Sequence, residues 1–479
     1  MAPTFTVVDD DRAAGAEDTE NHINHIDHMK TLKSILAALA MTAAATAGAQ
    51  TLKMEPQASG VTAYETTTAV NLVVVKPEIK LDKVDPSLLT VTTNGKERNV
   101  ISVYPCDARG AYNPEGQYLA LGLDKAEGWG LGLSKGKDGG WKSEYNVKVA
   151  LKPGKTLKVG KQKYTAIECE TETALKNFVS EADYFNKGTF TGKYTGKPGD
   201  VTLTYASYEP WSLKADGVAN PLVIWLHGGG EGGLDVSITL LGNEVVSLIR
   251  PEIQSHFTTE GGEGGAYVLS IQCPTMWMGT SKGFGHGEYP SLYADVLKSC
   301  IDEFVDQHPD VDRNRIYLGG CSNGGYMTMH MLIRNPRYFA AAYPTCEAYM
   351  DQYISETEIK ALAEENIWFV QSYDDTTVDA KTHCIPTFQR LVKAGAKNVW
   401  MSMFETVVGI DNPGQKIMGH FAWCYLFNDA VTMSQEQTEG DVVPTNNGGG
   451  TVAPQGHANI YEWMNAQVLT APEVTNPRW

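Results

Sequence analysis

Hydrophobic and polar positions change rhythm once along the chain. From residue 51 to about 175, short runs rich in Val, Thr and Tyr stop at Gly, Asn, Asp or Pro, as in "AVNLVVVKPEI", "LLTVTTNGKERNVISVY", "GQYLALGL" and "EYNVKVALKPG". Runs of that length predict strands, and Asn94-Gly95 predicts a tight turn between two of them. The expected unit is a small antiparallel β-sandwich. From Val201 onward the apolar runs become continuous: "PLVIWLHGGG", "AYVLSIQCP", "RIYLGG", "YFAAAYP", "IWFVQSY" and "NVWMSMFE". Helical patterns separate them. "SLYADVLKSCIDEFVDQH" places Leu292, Val296, Cys300, Ile301 and Phe304 on one stripe, a second helix runs from about Gly324 to Arg334, and a third surrounds "FQRLVKAG". Strands apolar on both faces, alternating with helices, predict a mostly parallel sheet covered on both sides. The fold class is therefore α/β, preceded by an all-β unit, with the junction between residues 174 and 199. In such sheets chemistry collects beyond the carboxyl ends of the strands.

The first 49 residues belong to neither texture. From Met29 the chain reads "MKTLKSILAALAMTAAATAGAQ": Lys30 and Lys33, a short apolar run, then Ala47-Gly48-Ala49. That is the pattern of a signal peptide over residues 29–49, cleaved before Gln50, and its apolar run is too short to span a bilayer. Residues 1–28 read as a polar leader, and His22, His25 and His28 within it as part of that leader rather than a metal tract. The expected division is leader 1–28, signal 29–49, β-sandwich 50–175 and α/β domain 176–479. The 57 acidic residues against 39 basic ones, a net charge of -18, argue against nucleic acid or an anionic membrane as partner. Eight cysteines in an exported chain allow disulfides, Cys106 with Cys169 among them. No C-x-x-C pair occurs, which disfavours a zinc ribbon or a thioredoxin-type redox centre.

The chemistry-bearing residues lie on the loops of the second texture. "IYLGGCSNGGYMT" satisfies G-x-S-x-G with Gly320, Ser322 and Gly324, between a predicted strand and a predicted helix. That is the setting of a nucleophile elbow, a turn that lifts a serine hydroxyl above the sheet. The glycines frame Ser322 and not Cys321, since Asn323 stands where a cysteine-centred frame needs glycine. A serine nucleophile requires a base, an acid that orients the base, and an oxyanion hole. "HGGGEGG", residues 227–233, follows a strand and offers backbone N–H groups. Gly229 is the first choice to partner the N–H of Asn323, with Gly230 second. "YDDTTVDA" offers Asp374, Asp375 and Asp379 after a later strand. "MGHFAW" offers His420 after the last strand, with His457 as competitor. The order serine, aspartate, histidine is that of α/β hydrolases. Trp277, after another strand, is a candidate wall of the acyl pocket. None of these groups calls for a metal or an organic cofactor.

"PLVIWLHGGGEGG", "QCPTMWM", "RIYLGGCSNGGYMTMHMLIRNP", "YDDTTVD" and "GHFAW" together resemble secreted bacterial esterases of the α/β-hydrolase superfamily. These are the prolyl-oligopeptidase-like proteins similar to polyhydroxybutyrate-depolymerase-like and feruloyl esterases. The resemblance covers about residues 185–479. It implies Ser322 as nucleophile, Asp375 as acid and His420 as base, and an immunoglobulin-like fold for the first domain. It also implies hydrolysis of small or polymer-linked esters, with a serine peptidase or a polyester depolymerase as alternatives. The related loop carries an arginine where this chain has Gly232, so a substrate contact made by that arginine is missing here.

Overall fold

The computed structural model describes residues 50–470 apart from 125–133, 136–140, 143–144, 176–177 and 412. The expected leader and signal peptide lie outside the described residues.

The first unit is all β. Its strands are β1 (Gln50–Tyr64), β2 (Thr67–Pro77), β3 (Leu89–Thr93), β4 (Lys96–Cys106), β5 (Tyr118–Leu123), β6 (Val147–Leu151), β7 (Leu157–Val159), β8 (Gln162–Glu168) and β9 (Phe178–Ser180). They follow the order β6-β3-β4-β5-β2-β1-β8-β7, with β9 also paired to β1. Asn94 and Gly95 both take positive φ, 45° and 79°, and form the two-residue turn between β3 and β4. That conformation matches the right-handed twist of the flanking strands and explains the Asn-Gly pair. β1 pairs with β8 over Gln50–Lys53 and with β2 from Met54 onward, with register shifts against β2 between Pro56 and Ala58 and between Gly60 and Val61. Beyond β8, the N–H groups of Val149 and Thr171 bond to Cys169 O and Val147 O, joining β6 at one end of the strand path to the stretch that follows β8. The strands thus wrap round one core that includes Leu52, Val70, Val73, Val91, Leu121 and Val149.

The second unit carries an eight-stranded sheet. Its strands are β10 (Asn186–Lys193), β11 (Asp200–Tyr208), β12 (Asn220–Leu226), β13 (Tyr267–Gln272), β14 (Val311–Cys321), β15 (Ala341–Thr345), β16 (Ile367–Ser372) and β17 (Val399–Phe404), in the order β10-β11-β13-β12-β14-β15-β16-β17. The six from β13 to β17 are parallel, and β10 and β11 add an antiparallel edge. Every residue of β12, β13, β16 and β17 is buried, as expected of strands covered on both faces. One core includes α1 (Ala294–Gln307), α2 (Asn323–Arg334), α3 (Glu356–Leu362) and α4 (Cys384–Lys393); a second contains the segment 423–431 and the last helix. The predicted stripe of α1 is buried from Val296 to Phe304, while Leu292 lies before the helix and packs from its approach. This is the α/β-hydrolase architecture. None of the eight cysteines is in a disulfide. Cys106 packs with Ala58, Val74 and Ala120 and Cys169 in the main β core, so the pair allowed by the sequence does not form.

Candidate active site

β14 ends at Cys321 and α2 begins at Asn323, leaving Ser322 alone in the turn with φ 57° and ψ -113°. Few non-glycine residues adopt such angles, and strain of this kind is held in place by its surroundings. The surroundings here are tight. A Cβ on Gly324 would stand 2.0 Å from Leu226 O, and one on Gly320 2.5 Å from the same atom. The elbow therefore closes against the end of β12 only with glycine at both places. Ser322 N–H donates to Thr345 O at 2.9 Å, and Ser322 O accepts from Tyr326 N–H at 2.8 Å, starting the helix. Ser322 is partly exposed while both neighbours are buried. Burial, with the charge of Glu231 adding to it, raises the Cys321 thiol well above its ordinary range, so it stays protonated and inert.

The glycine loop after β12 is fixed from below. His227 Nε2 accepts from Cys273 N–H at 3.1 Å, which puts the ring proton on Nδ1, where Gly228 O lies at 2.7 Å. Gly228 N–H donates to Glu231 Oε2 at 2.8 Å and closes the turn. A Cβ on Gly228 would meet Cys321 Sγ at 3.2 Å, and one on Gly229 would come within 4.0 Å of Asn323 Cβ, so Gly229 lies against the elbow. Gly230 points into open space, with nothing within 4 Å of its would-be Cβ. The Asn323 side chain ties three segments together: Oδ1 accepts from Met278 N–H at 2.9 Å and Nδ2 donates to His227 O at 3.4 Å. Trp277 is fully buried under this loop, its indole 5.2 Å from the His227 ring and 5.9 Å from that of Tyr293. At Gly232 a Cβ would be 1.6 Å from Thr275 O. No side chain fits there, so the arginine of the related loops is excluded by the backbone itself.

Beyond β16 the three aspartates separate. Asp375 Oδ2 accepts from His420 Nδ1 at 2.7 Å and from Gln371 Nε2 at 3.2 Å. Its Oδ1 accepts from the N–H groups of Thr377 and Val378 at 2.8 and 2.9 Å. A buried carboxylate with four donors is held rigidly and needs no further partner. Asp374 turns away and accepts from Thr406 Oγ1 at 2.7 Å, Ser372 Oγ at 2.8 Å and Lys416 Nζ at 3.1 Å. Burial pulls its carboxyl upward, but those bonds outweigh it and hold the group below the usual range. Asp379 is exposed and caps Lys381 N–H. His420 lies on the short Gly419–Phe421 turn, edge-on to Trp423 at 5.6 Å. His457 sits in the turn before the last helix, partly exposed.

The structure thus joins His420 to Asp375, and Gly229 to Asn323 beside Ser322. Sequence reasoning missed Gln371, the Thr377 and Val378 amides, the anchoring role of Asp374 and the locked tautomer of His227. The amide pair had a signal: an aspartate followed by Thr and Val two and three places on is the spacing of a side chain that caps its own turn. With a histidine held by a buried carboxylate, a strained serine in an elbow and backbone N–H groups nearby, the arrangement contains the kinds of group that acyl transfer uses.

The prolyl oligopeptidase family model matches residues 291–374, which run from the start of α1 through the elbow to Asp374. No curated protein matches the chain in sequence. Among solved structures, the chain is similar to a thermostable esterase at 20% identity and TM-score 0.60, with 79% of this chain and 96% of that one covered. A ferulic acid esterase aligns at 14% identity and TM-score 0.36 over 51% of this chain and 96% of that one. An acylaminoacyl peptidase from Pyrococcus horikoshii aligns at 13% and 0.34 over 70% and 57%. The weight rests on the first of these, which establishes the fold: the chain is an α/β hydrolase in architecture.

Proposed function

We propose that the protein is a serine hydrolase acting on carboxylic esters, with Ser322 as nucleophile, His420 as base and Asp375 as the orienting acid. The observation that carries this reading is the 2.7 Å bond from His420 Nδ1 to a fully satisfied Asp375, on the loop order that an elbow serine requires. With Nδ1–H committed to Asp375, His420 Nε2 is the ring atom left to take the Ser322 proton as Oγ attacks the carbonyl. The imidazolium that forms faces the Asp375 charge. The oxyanion is assigned to the N–H groups of Gly229 and Asn323, where loss of one donor typically lowers turnover by ~10²–10³. His420 then gives its proton to the leaving alkoxide, and activates water to release the acyl group. Trp277 is assigned to the support of this loop and, through it, to the acyl side of the pocket.

An ester is favoured over a peptide because alkoxide departure needs less help than departure of an amine, which must be protonated as the intermediate collapses. The first unit is a wrapped sheet, which we take as immunoglobulin-like and as a support for an open site rather than a gate over it. The substrate class is a small acyl ester or an ester carried on a polymer such as an acetylated or feruloylated polysaccharide. Export through the 29–49 signal belongs to the same reading. The test is a substrate panel. Nitrophenyl acetate or butyrate should be hydrolysed readily and peptide anilides at least about a hundredfold more slowly. Ser322→Ala and His420→Ala should each leave only a small residual ester activity, and His457→Ala should leave it near the wild-type level. Comparable rates on a peptide anilide and a good ester would move the assignment to a peptidase.

A further inference from the structure

His420 is reached only after a long excursion from the sheet. Past β17 the chain forms a small hairpin, Val407–Val408 against Lys416–Ile417, then the Gly419–Phe421 turn, then the short helix Trp423–Phe427. The hydrolase domain grips the base of this excursion. Asp374 accepts from Thr406 Oγ1 and Lys416 Nζ, and the Tyr425 hydroxyl donates to Thr406 O and accepts from Val408 N–H, both at 2.9 Å.

The far end is gripped by the other domain. Glu65 stands in the turn between β1 and β2, and its three polar groups all bond to the excursion. Its Oε1 accepts from Ile410 N–H at 2.6 Å, its N–H donates to Asp411 Oδ2 at 3.3 Å, and its carbonyl accepts from the Cys424 thiol at 3.4 Å. These contacts lie on both sides of His420 in sequence. The turn itself is held from the hydrolase domain, where Arg250 Nη2 donates to Ala63 O at 3.0 Å. Glu65 is 3% exposed, although a glutamate at a hairpin tip ordinarily extends into water.

We propose that Glu65 is a positioning residue for His420: the β1–β2 hairpin of the first domain clamps the excursion that carries the base, and so completes the active site without touching substrate. The proposal rests on His420 being the base. A base displaced by about 1 Å loses on the order of 10²-fold in rate, because proton transfer depends on alignment, and outlying partners of a functional group typically govern 10- to 100-fold effects.

The test uses the full chain and nitrophenyl butyrate, with kcat and KM measured separately on variants shown to be folded. Glu65→Ala should lower kcat about 10- to 100-fold with KM within about twofold. Glu65→Gln keeps an oxygen that accepts from Ile410 N–H and should retain kcat within about threefold. In a His420→Ala background, Glu65→Ala should leave the residual rate unchanged, since no imidazole remains to be placed. Should Glu65→Ala fail to fold, Asp411→Ala severs a second of the three bonds from the hydrolase side and should lower kcat at constant KM. Wild-type kcat in a folded Glu65→Ala or Asp411→Ala protein would overturn the proposal. So would a Gln variant no better than Ala, or an undiminished Glu65→Ala effect on top of His420→Ala. Full turnover in His420→Ala alone would overturn the assignment of the base, a failure separable from that of the clamp.

Discussion

Asp374 and Asp375 are adjacent in sequence and hold different parts of one loop. Asp375 faces the imidazole; Asp374 faces the hairpin that delivers it, and a Cβ on Gly419 would stand 2.2 Å from Asp374 Oδ1. Asp375→Asn would present either an amide N–H or an oxygen without charge to Nδ1, favouring the wrong tautomer. It should lower kcat on the order of 10³–10⁴-fold. Asp374→Asn keeps an oxygen for Thr406 and loses only a partly exposed ion pair with Lys416, so a fall of less than about tenfold is expected. Kinetics on the two variants with one ester decide the matter, and the reverse ranking would exchange the two roles. Gly232 gives a second prediction. Its would-be Cβ overlaps a backbone oxygen, which cannot rotate away. Gly232→Ala should therefore destabilise the fold by about 3 kcal/mol or more, or distort the oxyanion loop. Gly230→Ala, facing open space, should leave the denaturation midpoint nearly unchanged; equal midpoints for both variants would refute the close approach.

At the scale of the element, α2 does more than present the elbow. Midway along it, His330 is buried beside the rings of Tyr326 and Tyr349, which stack on each other at 5.1 Å, and its Nε2 accepts from Ser291 N–H at 3.4 Å. Burial, and then the nearby Arg334, push this imidazole down to about 4, from 6.5 in the unfolded chain. Below 6.5 the unfolded state takes up the proton and the folded state does not, so stability falls as pH drops from 6.5 towards 4. The loss is on the order of 2–3 kcal/mol by pH 4.5. His330→Gln keeps an acceptor for Ser291 without titrating, and should flatten that part of the pH–stability curve in urea denaturation. An unchanged slope would assign the acid sensitivity elsewhere. Elements of this kind were legible in advance where a pattern had one physical meaning. Continuous apolar runs announced the parallel strands, Gly320 and Gly324 announced the elbow, and Asn94-Gly95 announced its hairpin. Among three aspartates after one strand, spacing alone does not choose and the resemblance pointed to Asp375; the local turn geometry, which depends on the amides each carboxylate can reach, turns Asp375 to His420 and Asp374 to the hairpin. The locked His227 tautomer was not legible, because its partner Cys273 N–H comes from a different strand end.

Across the whole molecule, the contacts between the two units are what sequence patterning reveals least, since they pair residues hundreds of positions apart. Arg250 is the centre of one such junction. It makes a two-pronged ion pair with Glu181 at 2.7 and 2.9 Å, a third bond to Glu244 Oε1 at 2.7 Å, and the bond to Ala63 O that steadies the Glu65 turn. The Glu244 side chain is 1% exposed. Burial pushes its carboxyl up to about 7 against the opposing pull of Arg250, and Asp411 and Glu65 add to the rise. The folded state thus binds a proton there that the unfolded state, with an ordinary carboxylate value of 4.5, releases earlier. Stability from this group falls as pH rises from 4.5 through 7. Removing Arg250 removes the guanidinium that favours the charged form, so the folded value climbs further and the fall continues to higher pH, at about 1.4 kcal/mol for each added unit. Arg250→Ala should accordingly be destabilising at pH 5 through the lost Glu181 and Ala63 bonds, and more destabilising at pH 8, where Glu244 must either stay charged without its partner or hold a proton against the solvent. At pH 8 a total loss of about 3–5 kcal/mol is expected. Arg250→Lys should recover little, because a single ammonium cannot reproduce the planar fork that reaches Glu181, Glu244 and Ala63 together. Adding Glu244→Gln to Arg250→Ala should erase the difference between pH 5 and pH 8 while leaving the pH 5 loss in place. Denaturation midpoints of the four proteins at the two pH values test this, and a pH-independent Arg250→Ala penalty would show that Glu244 does not carry the titration.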